Sequence, residues 1–242
     1  MLLPAGWWPL LGGLLGLIVG SFLALVTLRW PLGEAITGRS RCDHCGTTLR
    51  AFELVPVLSF LALRGRCRTC GGRIAPRHLA IELAAGIIGA VLLWRTPAPE
   101  GLLVALAGWW LLALLILDVE QQWLPDALTL PFIPFALLVP GPAWQQRVLA
   151  ALAAFALLTA LRLGYRAWRG RDGMGGGDPK LMAGLGALFG PWPLPFLLTG
   201  AAGLGLALAL ADRLRGRPVD AATRLPLGAL LAGVALLALA LA

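Results

Sequence analysis

Long apolar stretches with at most two charges each recur along this chain, most of them approaching the ~20 residues a helix needs to cross a ~30 Å hydrocarbon core. They occupy residues 6–28, 79–94, 102–117, 124–139, 148–163, 178–189, 192–211 and 225–242, with Pro, Gly or basic residues between them. Lipid offers no water to satisfy open backbone groups, so these segments are read as helices. A β-barrel would need strict two-residue alternation, which these runs of Leu, Ala and Gly lack. Composition agrees: 59% of the 242 residues are hydrophobic, 13% are charged, and mean hydropathy is +0.82. The first run has no basic segment before it and no Ala-x-Ala site after it, so it reads as a retained span rather than a signal peptide.

The formal charge of +8 could suggest a nucleic-acid partner, but its placement points elsewhere. Lys and Arg gather in residues 29–77, 162–180 and 213–224, and only Arg95 and Arg147 lie outside those stretches. Basic residues confined to alternate loops mark the cytoplasmic side, so the expected partner is the lipid bilayer and not nucleic acid. Both termini then lie outside. The expected fold class is all-α: a polytopic membrane helix bundle of about eight spans with a small cytoplasmic insertion. Its parts are a first span (1–28), the cytoplasmic segment (29–77) and a membrane helix bundle (78–242). Gly- and Ala-rich helices are expected to pack through small faces. Trp7, Trp8, Trp109, Trp110, Trp123, Trp144 and Trp192 fall near span ends and read as interfacial anchors.

The insertion carries all four cysteines, as Cys42-Asp43-His44-Cys45-Gly46 and Cys67-Arg68-Thr69-Cys70-Gly71, with 21 residues between Cys45 and Cys67. Each unit can present two thiolates from a tight turn whose glycine adopts a left-handed backbone. Four sulfurs make the tetrahedral shell that Zn²⁺ prefers. Disulfides or free thiols are the alternatives, and a reducing cytoplasm argues against disulfides. A closed shell leaves no position for water, so Zn²⁺ here would be structural, stapling a segment too small to hold itself by a core. His44 reads as a knuckle surface residue and His78 as the start of a span.

Two acids stand out among the twelve Asp and Glu. Asp118 ends the apolar run Leu111–Leu117, where a charge is costly. Asp178 closes Gly175-Gly176-Gly177-Asp178 and precedes another apolar helix. Both fall at cytoplasmic helix ends, so they can meet. Two close carboxylates cannot both ionise easily; one would act as base on water and the other as acid toward a carbonyl. The glycine run would admit a substrate backbone. The plainer alternative is a helix start, with Asp178 at N-cap and Pro179 at N1, as Asp126 after Pro125 also suggests.

Gly175–Asp178, continued as Asp178-Pro179-Lys180-Leu181, resembles the second active-site motif of the type IV prepilin peptidases. Asp118, followed by Leu124-Pro125-Asp126, resembles the first. Gly20-Ser21-Phe22-Leu23, the two cysteine units, Val55-Pro56-Val57-Leu58-Ser59, Arg64-Gly65-Arg66-Cys67, and Pro76-Arg77 leading to Glu82 also resemble that family. Together they cover roughly residues 10–200 in matching order. The resemblance implies a membrane aspartic endopeptidase of the bacterial cytoplasmic (inner) membrane. It would remove the basic leader from prepilins or pseudopilins, with active site and zinc loop on the cytoplasmic side. It implies Asp118 and Asp178 as catalytic acids, Gly175, Gly177 and Lys180 as loop support, and Cys42, Cys45, Cys67 and Cys70 as metal ligands. Many bacterial members also methylate the new N-terminus with S-adenosylmethionine, for which Gly20, Glu53 and Glu82 are candidates here. Ala24 stands where many relatives carry Asn. Glu120 and Asp126 are the acids expected to place a basic leader. A cation channel or a zinc-bearing assembly scaffold are the competing classes; a channel would want its acids near mid-span, and Asp118 and Asp178 stand at span ends.

Overall fold

The computed structural model describes residues 4–217 and 225–241, so Arg224, which ends the third basic stretch, and Ala242 lie outside the described residues. The described residues form helices α1 (Trp8–Arg29), α2 (Leu58–Ala62), α3 (Pro76–Arg95), α4 (Gly101–Gln121), α5 (Asp126–Leu138), α6 (Trp144–Arg169), α7 (Asp178–Phe189), α8 (Leu194–Leu214) and α9 (Leu227–Leu241). Among the described residues there is no β-strand, only the isolated bridges Arg41–Thr48 and Arg66–Arg73. Every expected apolar run is a helix. Five segments are long and apolar enough to cross a membrane: Ala5–Leu32, Pro76–Arg95, Gly101–Gln121, Trp144–Arg169 and Leu194–Leu214. The other three expected spans are shorter helices: α5 and α9 lose turn residues at the ends of their runs, and α7 fills its run but is short. At 1.5 Å per residue, the 12 residues of α7 reach only about 18 Å. The chain is a multi-pass helical membrane protein.

It divides into two compact units, Met1–Trp109 and Trp110–Ala242, and the division falls within α4. In the first unit α1 lies against α3 along a stripe of small residues spaced four apart: Gly12, Gly16, Gly20 and Ala24, all buried. This spacing keeps one helix face free of side chains and lets backbones touch. A Cβ on Gly12 would lie 2.1 Å from the Gly89 carbonyl oxygen, and one on Gly16 2.2 Å from that of Ala85. Arg77 locks the end of the stripe, donating from Nη1 to the Ala24 carbonyl and from Nη2 to Thr27 Oγ1, each at 2.7 Å. Ala24 serves this contact through its backbone.

In the second unit α7 is the hub, packed by α5, α6 and α9, with Asp178 and nine of the helix's other residues buried. Glycines again set the approach: a Cβ on Gly184 would lie 2.4 Å from the Phe132 ring, and one on Gly186 2.8 Å from the Ala150 backbone. Arg147, outside the basic loops by sequence, is 3% exposed. Its guanidinium donates to the carbonyls of Ala187 (2.6 Å), Val139 (2.8 Å) and Ala136. It therefore caps the ends of α5 and α7, whose last carbonyls have no helical partner. The tryptophans read as interfacial anchors divide by exposure. Trp7, Trp144 and Trp192 are exposed, but Trp8 and Trp109 are buried. Trp109 Nε1 donates to the Ala85 carbonyl at 2.8 Å, and Trp110 stacks on Phe135 at 5.2 Å between centroids. An indole at a span end can turn inward where its N–H finds an acceptor.

Gly16→Ala is expected to lower stability by about 1–3 kcal/mol through overpacking against α3. Gly13→Ala, whose Cβ would meet only ordinary contacts at 3.7 Å, is expected to be nearly neutral. Unfolding of the purified variants in detergent measures the difference.

Candidate active site and metal centre

The turn that follows α4 is sharp, with Gln122 at φ 49°, and it feeds Leu124 and Pro125 into the start of α5. This places Asp118, one turn before the end of α4, beside the start of α7. Asp118 is 6% exposed and Asp178 5% exposed. A Cβ built on Gly228 would lie 3.1 Å from Asp118 Oδ2 and 3.2 Å from Asp178 Oδ1. The two carboxylates therefore face one point, and their oxygens are no farther apart than those two distances together. Two acids sixty positions apart in sequence are thus brought to one point.

Backbone N–H groups take the place of water around each acid. Ala229 N–H, in the first turn of α9, donates to Asp118 Oδ2 at 2.7 Å. Gly175 N–H donates to Asp178 Oδ2 at 2.8 Å. Buried carboxylates need such donors, and N–H groups at a helix start are the natural ones. Asp118 caps α9 from 111 positions away. The plainer alternative put Asp178 at the N-cap with Pro179 following; Gly177 is the N-cap and Asp178 the first helical residue. Its side chain turns back to the glycine loop.

The other candidate residues divide clearly. Gly177 is crowded by this chain itself, since a Cβ there would lie 2.4 Å from Leu124 Cβ. Lys180 is paired with Asp126, which ties the starts of α7 and α5. Glu120 is exposed on the last turn of α4. Gly20, in the first unit, lies in the α1–α3 seam, where a Cβ would be 2.7 Å from Glu82 Cα. Glu82 is 8% exposed and accepts the Val57 N–H on Oε2 at 2.8 Å. Both oxygens of Glu53 are taken, Oε2 by Arg50 N–H at 2.8 Å and Oε1 by Arg68 Nε at 3.2 Å. The Arg50 N–H and then Arg68 hold its carboxyl below the usual carboxylate range. Sequence reasoning missed Gly228 and Ala229, which wall the acid pair. The only available signal was Gly228 in the first turn of the last apolar run.

The four sulfurs meet as the spacing implies: those of Cys42, Cys45, Cys67 and Cys70 all lie within 4.8 Å of one another, and none is in a disulfide. Gly46 and Gly71 sit at φ 68° and 70°, and their N–H groups donate to the carbonyls of Cys42 (2.8 Å) and Cys67 (2.9 Å). Zinc with bonds of ~2.3 Å sets four sulfurs roughly 3.8 Å apart, so this donor set fits such an ion. His44 stands outside the sulfur set. Its Nε2 lies 3.2 Å from the Arg73 carbonyl oxygen and links the two knuckles.

The fold and its sites define a class: a multi-pass helical membrane protein with a buried aspartate pair at helix ends and a separate four-cysteine module able to bind a metal. Residues 14–96 match the bacterial peptidase A24 N-terminal domain, and residues 105–210 match the type IV leader peptidase family. The chain is 35% identical over 241 residues to the prepilin leader peptidase/N-methyltransferase of Dichelobacter nodosus, covering 86% of this chain and 84% of that protein. It is 38% identical over 250 residues to the enzyme of the same name from Burkholderia pseudomallei strain 1026b, covering 89% of this chain and 80% of that protein. The corresponding figures for the Pseudomonas putida enzyme are 37% over 256 residues, 92% and 86%. No solved structure matches the chain. The chain belongs to the type IV leader peptidase family.

Protein purified without added metal is expected to carry about one zinc per chain, the stoichiometry of a single four-sulfur shell. The double change Cys42→Ser with Cys70→Ser is expected to abolish it. Elemental analysis of both preparations measures this.

Proposed function

We propose that this chain is a membrane aspartic endopeptidase that removes the leader from type IV prepilins or pseudopilins and methylates the new N-terminus. The observation that carries the reading is the convergence of Asp118 and Asp178 on Gly228. Family membership and the names of the relatives agree with it.

Asp118 and Asp178 are the catalytic pair. Side by side and shielded from solvent, they hold one proton between them, because two neighbouring anions repel strongly where little water screens them. The ionised acid draws a proton from water, which attacks the scissile carbonyl. The protonated acid donates to the developing oxyanion, and the amine leaves with the proton the base collected. Gly175 and Ala229 N–H groups hold the two carboxylates in place, while Gly177 and Gly228 keep side chains out of the space between α4, α7 and α9.

Membrane placement completes the proposal. Eight helices cross or enter the bilayer, α5, α7 and α9 being the short ones, and the basic loops face the cytoplasm of a bacterial inner membrane. Residues 29–77 form the cytoplasmic four-cysteine segment, holding a structural Zn²⁺ through Cys42, Cys45, Cys67 and Cys70. The pilin's apolar stem lies among the helices, and Glu120 and Asp126 meet its basic leader, with Lys180 setting the position of Asp126. S-adenosylmethionine is the methyl donor.

The test uses purified chain in detergent with a prepilin. Asp118→Asn and Asp178→Asn are each expected to lower cleavage by about 100-fold or more. Cleavage that survives either change sinks the mechanism. Gly228→Val, which fills the space between the acids, is expected to cost about 100-fold in the same assay while the protein still melts cooperatively.

A further inference from the structure

Arg162 stands two turns before the end of α6 and reaches the glycine loop that precedes Asp178, yet no step of the proposed chemistry uses it. A Cβ built on Gly176 would lie 3.1 Å from its Nη1 and 3.7 Å from its Cζ, so the guanidinium rests against that residue. The residue before it, Gly175, is the one whose N–H holds Asp178 Oδ2 at 2.8 Å. Arginine and carboxylate thus grip adjacent residues of one loop. The start of the loop is laid along the same helix. A Cβ on Gly173 would lie 2.6 Å from the Tyr165 ring, and Asp172 Oδ1 is 3.6 Å from Arg162 Nε and 4.0 Å from Arg166 Nη1.

These contacts do not neutralise Arg162. Its Nε is buried with no hydrogen-bond partner among the described residues, because Asp172 stands beyond hydrogen-bond length. Asp172 is also half exposed and divided between two arginines, so water and the second cation weaken its hold. A positive charge is left behind the acid pair, close enough to act on Asp178. The other charged groups of the neighbouring segments are placed differently. Lys180 is engaged by Asp126 at the starts of α7 and α5, Glu120 is exposed on the last turn of α4, and Arg171 is exposed on the loop. Helix α9 carries no titratable side chain.

A working pair of acids holds one proton and one negative charge, and it titrates as a unit. Positive charge nearby stabilises that anion, so the pair takes up its second proton only at lower pH. We infer that Arg162 is a positioning residue of the peptidase: it seats the glycine loop that holds Asp178, and its charge sets the lower pH limit of cleavage. The inference rests on the proposed aspartic chemistry and adds to it a residue that acts on the acids without bonding to either. Loss of the charge makes the second proton easier to bind, and the acidic limb of the rate profile then moves up in pH.

The experiment follows kcat/KM for prepilin cleavage against pH, using the full chain in detergent. Arg162→Gln is expected to move the acidic limb up by about half a unit, roughly a threefold loss of rate on that limb. Gly176→Val, which pushes the guanidinium aside without removing it, is expected to move the limb in the same direction. Arg162→Lys keeps the charge and is expected to restore the wild-type limb. Arg169→Gln removes an exposed charge from the last turn of the same helix and is expected to leave the profile unchanged. Thermal unfolding of each variant reports whether the fold persists. A folded Arg162→Gln or Gly176→Val enzyme with the wild-type limb, whatever its rate, overturns the inference and leaves the acid pair standing. So does a shift that Arg162→Lys fails to restore or that Arg169→Gln reproduces. Wild type that cleaves no prepilin at any pH overturns the peptidase reading and this role with it.

Discussion

A carboxylate beside hydrocarbon persists only where protein groups stand in for its lost water. That condition organises the second unit. Asp118 and Asp178 are nearly sealed from solvent, and each is met by a backbone N–H from a neighbouring segment. The Ala229 donor exists because a helix start leaves N–H groups unused, and the Gly175 donor comes from the glycine loop before α7. The start of α7 and the start of α9 are therefore structural parts of the site as much as of the fold. Close packing at Gly177 and Gly228 serves the same site, since a Cβ on the first would strike Leu124 and one on the second Leu124 and both acids.

The two units solve the membrane packing problem in related ways. With no hydrophobic gain between helices in lipid, contact must come from shape, and glycine gives the closest approach. The stripe on α1 does this for α3, and Gly184 and Gly186 do it for α7. Arginines finish what glycines begin. Arg77 and Arg147 each satisfy carbonyl groups that the helices leave open, turning a cation into a connector between segments. Both belong to the class of residue that topology alone would assign to the loops.

What was legible in the sequence follows the range of the signal. The cysteine knuckles were readable because ligand spacing is local and the turn that carries it needs glycine at one place. The helices were readable because lipid enforces length and composition, though α5 and α9 are shorter than their apolar runs and α7 is short throughout. Asp118 and Asp178 stood out as acids at the ends of apolar runs and through motifs each spanning a few residues. Ala229 and Gly228 were not readable, since their role depends on a partner more than a hundred positions away. Arg147 was hidden for the same reason: a lone basic residue looks like an exception to a charge rule until its three carbonyls are in view. Trp109 shows the limit of interfacial preference, which a single well-placed acceptor overrides.

The reach of α9 into the acid pair bears on where this kind of enzyme begins and ends. The recognisable peptidase stretch stops at residue 210, yet the last helix, Leu227–Leu241, sets Gly228 against both acids and gives a donor to Asp118. A minimal version trimmed to the similar core would keep both acids and lose the surface that confines them. The working boundary of the enzyme is thus drawn by a hydrogen bond, beyond the edge that likeness alone would mark.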